Sequence, residues 1–192
     1  MGRKVPEIKV VDIREIFVGR YRMIYNISKS KTIEILAIRH FPGHYQNFKM
    51  TINEAQDELI EDFDLFDEWE SKYEYIIDLG KQLPDLDEKY KTDENIIKGC
   101  QSLVWLHAYM DGGLLKFEAD SNAIIVKGLV NMLVKVLSGH TPEEIAKADV
   151  YFMEKVGLHQ HLAQTRSNGL ASMLKQMKAY GVAYQARPEA QN

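Results

Sequence analysis

The hydrophobic pattern of this 192-residue chain changes its period near residue 50. Before that position apolar and polar residues alternate as in half-buried strands, and beyond it apolar residues recur as on one face of a helix. The charge changes at the same place. Residues 1–49 carry ten Lys and Arg against four Asp and Glu, a net +6, whereas residues 50–192 carry fourteen against twenty-four, a net −10. The sequence therefore predicts two pieces, residues 1–49 and residues 50–192.

The first piece is predicted to form a basic β-hairpin. Residues 15–27 alternate as one strand, with Tyr21, Met23 and Tyr25 on the same face. A polar turn leads to a second strand over residues 32–40, and Pro42-Gly43 ends the sheet pattern. Because phosphate contact requires clustered Lys and Arg, this hairpin is the segment suited to touching RNA.

The second piece is predicted to be α+β, with a small antiparallel sheet packed against several helices. Two strands, at residues 102–110 and 115–120, are joined by a turn at residues 111–113. Helices are expected over residues 54–66, 69–80, 123–137 and 170–180, with a short one beginning at Thr141-Pro142. Asp67 is the expected cap of the second helix, and Ser121 is one candidate cap for the nearly all-apolar helix over residues 123–137.

The chain contains one cysteine, Cys100, so it forms no intrachain disulfide and holds no iron–sulfur or zinc site built from several of its own thiolates. In an arbitrary chain, a single cysteine is most often a small buried hydrophobic residue. Here Gly99 gives the backbone freedom to project the thiol from a loop, and Lys98 is expected to lower its pKa. Gln101 and Ser102 are expected to hydrogen-bond an anionic sulfur.

Other function classes have weaker support. His159 and His161 lie two residues apart, but no further thiolate or carboxylate pattern accompanies them, so no metal site is expected. Nine carboxylates within residues 54–70 indicate a solvated helix face and argue against nucleic-acid binding by the second piece. No run of 18 apolar residues and no signal-type apolar segment occurs, so a cytoplasmic protein without membrane contact is expected.

Five colinear blocks, covering about two-thirds of the chain, resemble the SufE family of sulfur-acceptor proteins. The blocks are Trp69-Glu70-x-Lys72-Tyr73-x-Tyr75-Ile76-Ile77-Asp78-Leu79-Gly80, Leu83-Pro84, Ile97-x-Gly99-Cys100-Gln101-Ser102-x-Val104-Trp105, Asp120-Ser121-x-Ala123-x-Ile125-Val126-Lys127-Gly128-Leu129 and Leu158-x-Gln160-His161-Leu162-x-x-x-Arg166-Ser167-x-Gly169-Leu170. The resemblance implies a SufE-like fold. It also implies that Cys100 takes persulfide sulfur from a SufS-type cysteine desulfurase, stimulates that enzyme and delivers sulfur to an iron–sulfur scaffold complex.

The same resemblance implies how the site is arranged. The thiol is expected to rest in an apolar cavity and to swing outward on docking, with Gly99, Gln101, Asp120 and Arg166 as candidates for the loop or for partner docking. Arg166 has an equal alternative as a structural residue at a helix start, and His161 is expected to be structural. The protein itself is expected to need no cofactor, because the desulfurase carries pyridoxal phosphate. Asn122 replaces an acid that the family often has, which puts a carboxylate role there in doubt.

Residues 12–45 resemble the C-terminal strands of a RelE/ParE-type toxin, on the two runs Val18-Gly19-Arg20-Tyr21-Arg22-Met23-Ile24-Tyr25 and Ile33-Glu34-Ile35-Leu36-Ala37-Ile38-Arg39-His40. The N-terminal helices of that fold are missing, so an active toxin is not expected. Arg20, Arg22 and Arg39 are interpreted as relics of an RNA- or partner-facing surface. We hypothesise that a truncated toxin gene reads into a SufE-type protein whose own start is Met50.

The sequence therefore predicts a sulfur carrier and desulfurase activator rather than a stand-alone enzyme. Three alternatives remain open. They are a paralogous acceptor that serves a different desulfurase, a cluster-assembly scaffold that would need several chains to supply enough ligands, and an RNA-binding fusion driven by the basic hairpin.

Overall fold

The computed structural model of the protein describes residues 3–4, 13–18, 21–27, 32–40 and 50–186. The chain divides into two compact units, Met1–Lys49 and Met50–Asn192.

The first unit contains a four-stranded antiparallel sheet in the order β1 (Arg3–Lys4), β2 (Ile13–Val18), β3 (Tyr21–Ile27) and β4 (Ile33–His40). The predicted hairpin is present as β3 and β4. The prediction of one strand over residues 15–27 is wrong, because β2 and β3 pair with each other in opposite directions. Ile16 pairs with Met23 and Val18 with Tyr21, so the face of β3 that carries Tyr21 and Met23 continues on the even-numbered residues of β2, and a single alternation does not run through both strands.

Much of one face of this sheet is apolar and exposed. Tyr25 is buried, whereas several large apolar neighbours on β2, β3 and β4 are not: Ile16, Tyr21, Ile33, Ile35 and Ile38. Of the three arginines singled out above, Arg22 and Arg39 are backbone register partners on β3 and β4. Arg20, and the predicted stop at Pro42-Gly43, lie outside the described residues.

The second unit is α+β, as predicted. Its elements are α1 (Ile52–Asp64), α2 (Trp69–Gln82), β5 (Val104–Asp111), β6 (Leu114–Ser121), α3 (Ile124–Leu137), α4 (Pro142–Lys147), α5 (Phe152–Lys155), α6 (Leu158–His161) and α7 (Gln164–Gln185). The connection between α2 and β5 includes two short 3-10 turns, Glu88–Tyr90 and Asp93–Asn95. Strands β5 and β6 form an antiparallel hairpin that turns at Gly112 and Gly113.

Helix α3 lies at the centre of the second unit, and most of its residues are buried. It packs against α2 at a very short backbone distance. A Cβ atom on Gly128 would lie 1.9 Å from the Ile76 carbonyl oxygen, and one on Gly80 would lie 2.7 Å from the Ile124 carbonyl oxygen. Only glycine permits this contact, because any side chain would separate the two helices.

The ends of the helices follow the capping rules in part. Thr51 and Glu54 form a capping box at the start of α1, and Thr141 and Glu144 form another at the predicted start of α4. The other two capping predictions are wrong. The N-cap of α2 is Glu68 rather than Asp67, and the N-cap of α3 is Ala123 rather than Ser121, in both cases without a capping side-chain hydrogen bond. Within the described residues, no helix is both long and apolar enough to cross a membrane.

Candidate functional site

Cys100 lies on a short loop whose two ends are held by hydrogen bonds. At one end the Ile97 N–H donates to the Val104 carbonyl over 2.8 Å. At the other end the Leu103 N–H donates to Asn122 Oδ1 over 3.1 Å, and Ser121 Oγ donates to the Leu103 carbonyl over 2.8 Å. Residues 98–102 therefore form a loop between two fixed points.

The loop rests on helix α7 through its cysteine. The Cys100 thiol donates to the Gly169 carbonyl oxygen at an Sγ···O distance of 3.6 Å. A Cβ atom on Gly169 would lie 3.3 Å from Sγ, so the absence of a side chain there makes room for the sulfur. Gly99 has φ +92°, and a Cβ atom on it would meet Ser172 Oγ at 3.0 Å. The predicted role of Gly99 in shaping the loop thus has a geometric basis.

A cavity of about 90 Å³ opens beside the thiol. Its apolar lining comes from the α3 segment and from α7: Ala123, Ile125, Val126, Leu129 and Met173. Its remaining lining comes from the loop and the first turns of α7: Cys100, Gln101, Ser102, Thr165, Arg166 and Gly169. The structure thus brings Gln101 and Arg166 together with Cys100, but Asp120 does not line this cavity.

Burial raises the pKa of the Cys100 thiol above its ordinary value. The expectation that Lys98 lowers this pKa is therefore wrong. The physical reason is that Lys98 is exposed and does not line the cavity, so desolvation of the sulfur decides the direction. Burial thus favours the neutral thiol over the thiolate.

Asp120 is the centre of an ion-pair network. Its carboxylate lies 3.0 Å from Lys91 Nζ and 3.0 Å from Lys127 Nζ, and these lysines also pair with Glu88 and Asp85. Burial alone would raise the Asp120 pKa. Hydrogen bonds from Lys127, Lys91 and the Ser121 N–H outweigh burial and hold the pKa below its ordinary 3.8. The network ties the α2–β5 connection to β6 and α3, and partner docking by Asp120 stays a prediction.

Arg166 and Asn122 occupy different positions at the site. Arg166 is exposed in the first turn of α7 and makes no ion pair with any residue that the structure describes. The Asn122 amide oxygen anchors the loop at Leu103, as a carboxylate oxygen in the same place would. The exchange of acid for amide therefore keeps this acceptor.

His161 holds α6 against α2. Its ring stacks on Trp69 at a centroid distance of 3.9 Å, and the Tyr73 hydroxyl donates to its carbonyl oxygen. No group of three or more potential metal ligands occurs within the described part of the chain. Gly169 and Ser172, which seat the loop, were not among the predicted site residues. The signal that could have found Gly169 is the run of small residues Ser167-x-Gly169 in the last of the five sequence blocks.

The fold and site together define a small α+β protein that shelters one thiol between a short loop and a long helix. Comparison with known proteins gives the family. Residues 57–181 match the SufE family model, described as an Fe-S metabolism associated domain. The chain belongs to the SufE family, as the sequence predicted, and membership implies a cysteine desulfurase as partner.

Two sequence relatives support this assignment. An uncharacterised SufE-like protein of Rhizobium meliloti (strain 1021) is 43% identical over 128 residues, covering 64% of this chain and 91% of that protein. A second one, from Rhizobium etli, is 43% identical over 127 residues, covering 64% of this chain and 86% of that protein. The solution structure of a hypothetical protein from Thermus thermophilus shares the fold with a TM-score of 0.59 at 19% identity, covering 69% of this chain and 97% of that one.

The first unit has a different relationship. Residues 1–41 match the family model of the ParE toxin of the type II toxin–antitoxin system parDE. The match agrees with the resemblance of the strand sequences to RelE/ParE-type toxins. The matched residues include none of the second unit.

Proposed function

We propose that the protein is a sulfur acceptor that takes persulfide sulfur from a cysteine desulfurase onto Cys100 and delivers it for iron–sulfur cluster assembly. The observation that carries this proposal is the placement of the single thiol beside a cavity of about 90 Å³. A cavity needs about 10–15 Å³ to hold one water molecule, so there is room for an added sulfur atom. The apolar lining would shelter a persulfide from reductants.

The transfer is chemically balanced. The Cys100 thiolate attacks the outer sulfur of the donor persulfide, the donor S–S bond breaks, and the donor cysteine leaves as a thiolate. A persulfide and a thiol give a persulfide and a thiol, with no net oxidation. The second unit has no second thiol that could attack the new persulfide and release sulfide. We further propose that the donor is of the SufS type, that it carries the pyridoxal phosphate, and that the final acceptor is a scaffold complex.

The test is mass spectrometry after incubation with a desulfurase and cysteine. Wild-type protein is expected to gain about 32 Da for each sulfur on Cys100, and Cys100→Ser is expected to gain nothing and not to stimulate sulfide release. Ser71→Ala is the control, because it makes a small substitution on α2, outside the residues that line the cavity, and leaves the thiol in place. Undiminished stimulation by Cys100→Ser would refute the acceptor role.

Arg166 is proposed to contact the partner. Support comes from its exposure beside the cavity and its lack of an ion pair among the described residues. Arg166→Ala should raise the protein concentration needed for half-maximal stimulation, while Lys175→Ala, which removes an exposed charge elsewhere on α7, should not. Equal effects of the two variants would indicate that general charge, not this site, matters.

A further inference from the structure

A second cavity, of about 640 Å³, lies along the edge of strand β6 that faces away from β5. Phe117, Glu118 and Ala119 all line it, although successive side chains of a strand point to opposite faces, so the cavity reaches the strand from its edge. Its other walls come from the α2–β5 connection, β5 and α3, and it shares no lining residue with the cavity beside Cys100. Small-molecule sites typically have volumes of about 300–1,000 Å³. The second cavity is therefore a candidate binding site separate from the thiol.

The backbone of β6 supplies hydrogen-bond acceptors to this cavity. Along an antiparallel strand, alternate residues direct their N–H and C=O groups away from the paired strand. The Leu115 N–H donates to the His140 carbonyl over 2.8 Å. The Phe117 N–H donates to Ser138 Oγ over 2.9 Å, so the odd-numbered residues of β6 are those that face away from β5. The Phe117 and Ala119 carbonyls therefore point to the cavity edge, where β6 has no further strand partner within the described residues.

The charges that line the cavity leave one carboxylate uncompensated. Glu118 is exposed and makes no ion pair with any residue that the structure describes. Asp85, by contrast, lies 2.7 Å from Lys127 Nζ. Asp87 and Lys89 pair with each other over 3.0 Å. A free carboxylate beside two backbone carbonyls favours a bound cation that donates several hydrogen bonds.

The aromatic wall of the cavity places an exposed ring beside Glu118. Tyr90 stacks on His107 at a centroid distance of 3.6 Å, and Lys89 Nζ lies 4.7 Å from the Tyr90 ring centroid. Tyr109 is 37% exposed, and its hydroxyl donates to Glu118 Oε1 over 3.4 Å. A planar cation can stack on the Tyr109 ring and donate in its own plane to the carboxylate. A guanidinium has this shape, whereas an ammonium is a compact point charge.

We propose that the second cavity binds a guanidinium group, which stacks on Tyr109, pairs with Glu118 and uses the Phe117 carbonyl as a further acceptor. The binding is non-covalent. A free arginine-like molecule and an arginine side chain of another protein share this chemistry, and the two sources are separated below by the choice of probe. The inference does not depend on the proposed role of Cys100, because the two cavities have no lining residue in common.

The first experiment titrates the isotope-labelled full chain with two probes and follows the backbone amide signals by nuclear magnetic resonance. The probes are free L-arginine and a capped peptide with one arginine between glycines. At least one should shift the signals of residues 117–119 with a dissociation constant of about 1 mM or below. Its citrulline counterpart, in which a neutral urea replaces the guanidinium, should bind about tenfold or more weakly, and its lysine counterpart should also bind more weakly. Tighter binding of the peptide identifies a protein side chain as the source, tighter binding of free arginine identifies a small molecule, and both support the site.

The second experiment repeats the titration with variants. Glu118→Gln removes the charge and keeps the size of the side chain, so it should weaken binding of the arginine probe about threefold to tenfold. Glu154→Gln is the matched control, because it removes an exposed carboxylate on α5, outside the cavity, and should leave binding unchanged. Tyr109→Val removes the stacking ring, keeps a strand-forming side chain and should also weaken binding. Circular dichroism verifies that each variant is folded.

Three results would overturn the proposal. The first is equal binding of the arginine and citrulline probes, which would show that the positive charge is not recognised. The second is an absence of shifts at residues 117–119 with either arginine probe at concentrations up to about 10 mM. The third is a loss of affinity in Glu154→Gln as large as that in Glu118→Gln, which would indicate attraction to the general negative charge of the protein.

Discussion

The contact between helices α2 and α3 predicts that Gly128→Ala is strongly destabilising, although alanine is the better helix former by about 1 kcal/mol. The new Cβ atom would lie 1.9 Å from the Ile76 carbonyl oxygen and 2.8 Å from Ile76 Cγ2. Restoring an ordinary contact of about 3.4 Å requires a separation of about 1.5 Å between two backbones.

A gap of about 0.5–1 Å already removes about a quarter to a half of the attraction between packed atoms. Overpacking a core side chain costs about 1–3 kcal/mol, and here a rigid helix backbone must move. We therefore expect a net loss of about 3 kcal/mol or more from a total stability of about 5–15 kcal/mol. Because α3 also carries Val126 and Leu129, the same shift should disturb the cavity beside Cys100.

Urea unfolding, followed by tryptophan fluorescence and far-ultraviolet circular dichroism, measures this change. Gly112→Ala is the control, because nothing lies within 4 Å of its Cβ position and its cost is limited to the strain of φ +56°, about 1 kcal/mol. The close-packing explanation fails if Gly128→Ala unfolds within about 1 kcal/mol of wild type, or if Gly112→Ala is the more damaging of the two.

Three further predictions follow from other parts of the protein. Gln56→Leu should lower the free energy of unfolding by about 2–4 kcal/mol in the same urea assay. The fully buried Gln56 amide donates to the Asp149 carbonyl and accepts from the N–H groups of Tyr151 and Phe152. An unchanged free energy of unfolding would contradict this prediction. Because the pKa of Asp120 is lowered in the folded protein, its contribution to stability should be complete above about pH 4 and should disappear as the pH falls further. In thermal melts, the melting temperature of Asp120→Asn should therefore fall less steeply with acidification than that of the wild type. Deleting residues 1–49 should leave sulfur gain on Cys100 unchanged by mass spectrometry, and loss of the gain would show that the first unit takes part.

The sequence predicts those features that depend on neighbours along the chain. The β5–β6 hairpin, the buried α3 and the helix start at Thr141 all follow from local periodicity and cap chemistry. The features that local patterns miss depend on distant partners. The carbonyl that holds the Cys100 thiol belongs to a residue 69 positions away, and a glycine in α3 gives no sign of the helix it touches. The direction of the thiol pKa shift cannot be predicted from local sequence for the same reason, since burial is a property of the assembled fold.

The anchored ends of the cysteine loop limit how far the thiol can travel. Cys100 is three residues from Ile97 and three from Leu103, both of which are bonded into the framework. A fully extended chain covers about 3.3–3.6 Å per residue, so the Cys100 backbone stays within about 10 Å of each anchor wherever the loop moves. If the protein accepts sulfur as proposed, the donor sulfur must therefore come within reach of a Cys100 backbone confined to about 10 Å of these anchors.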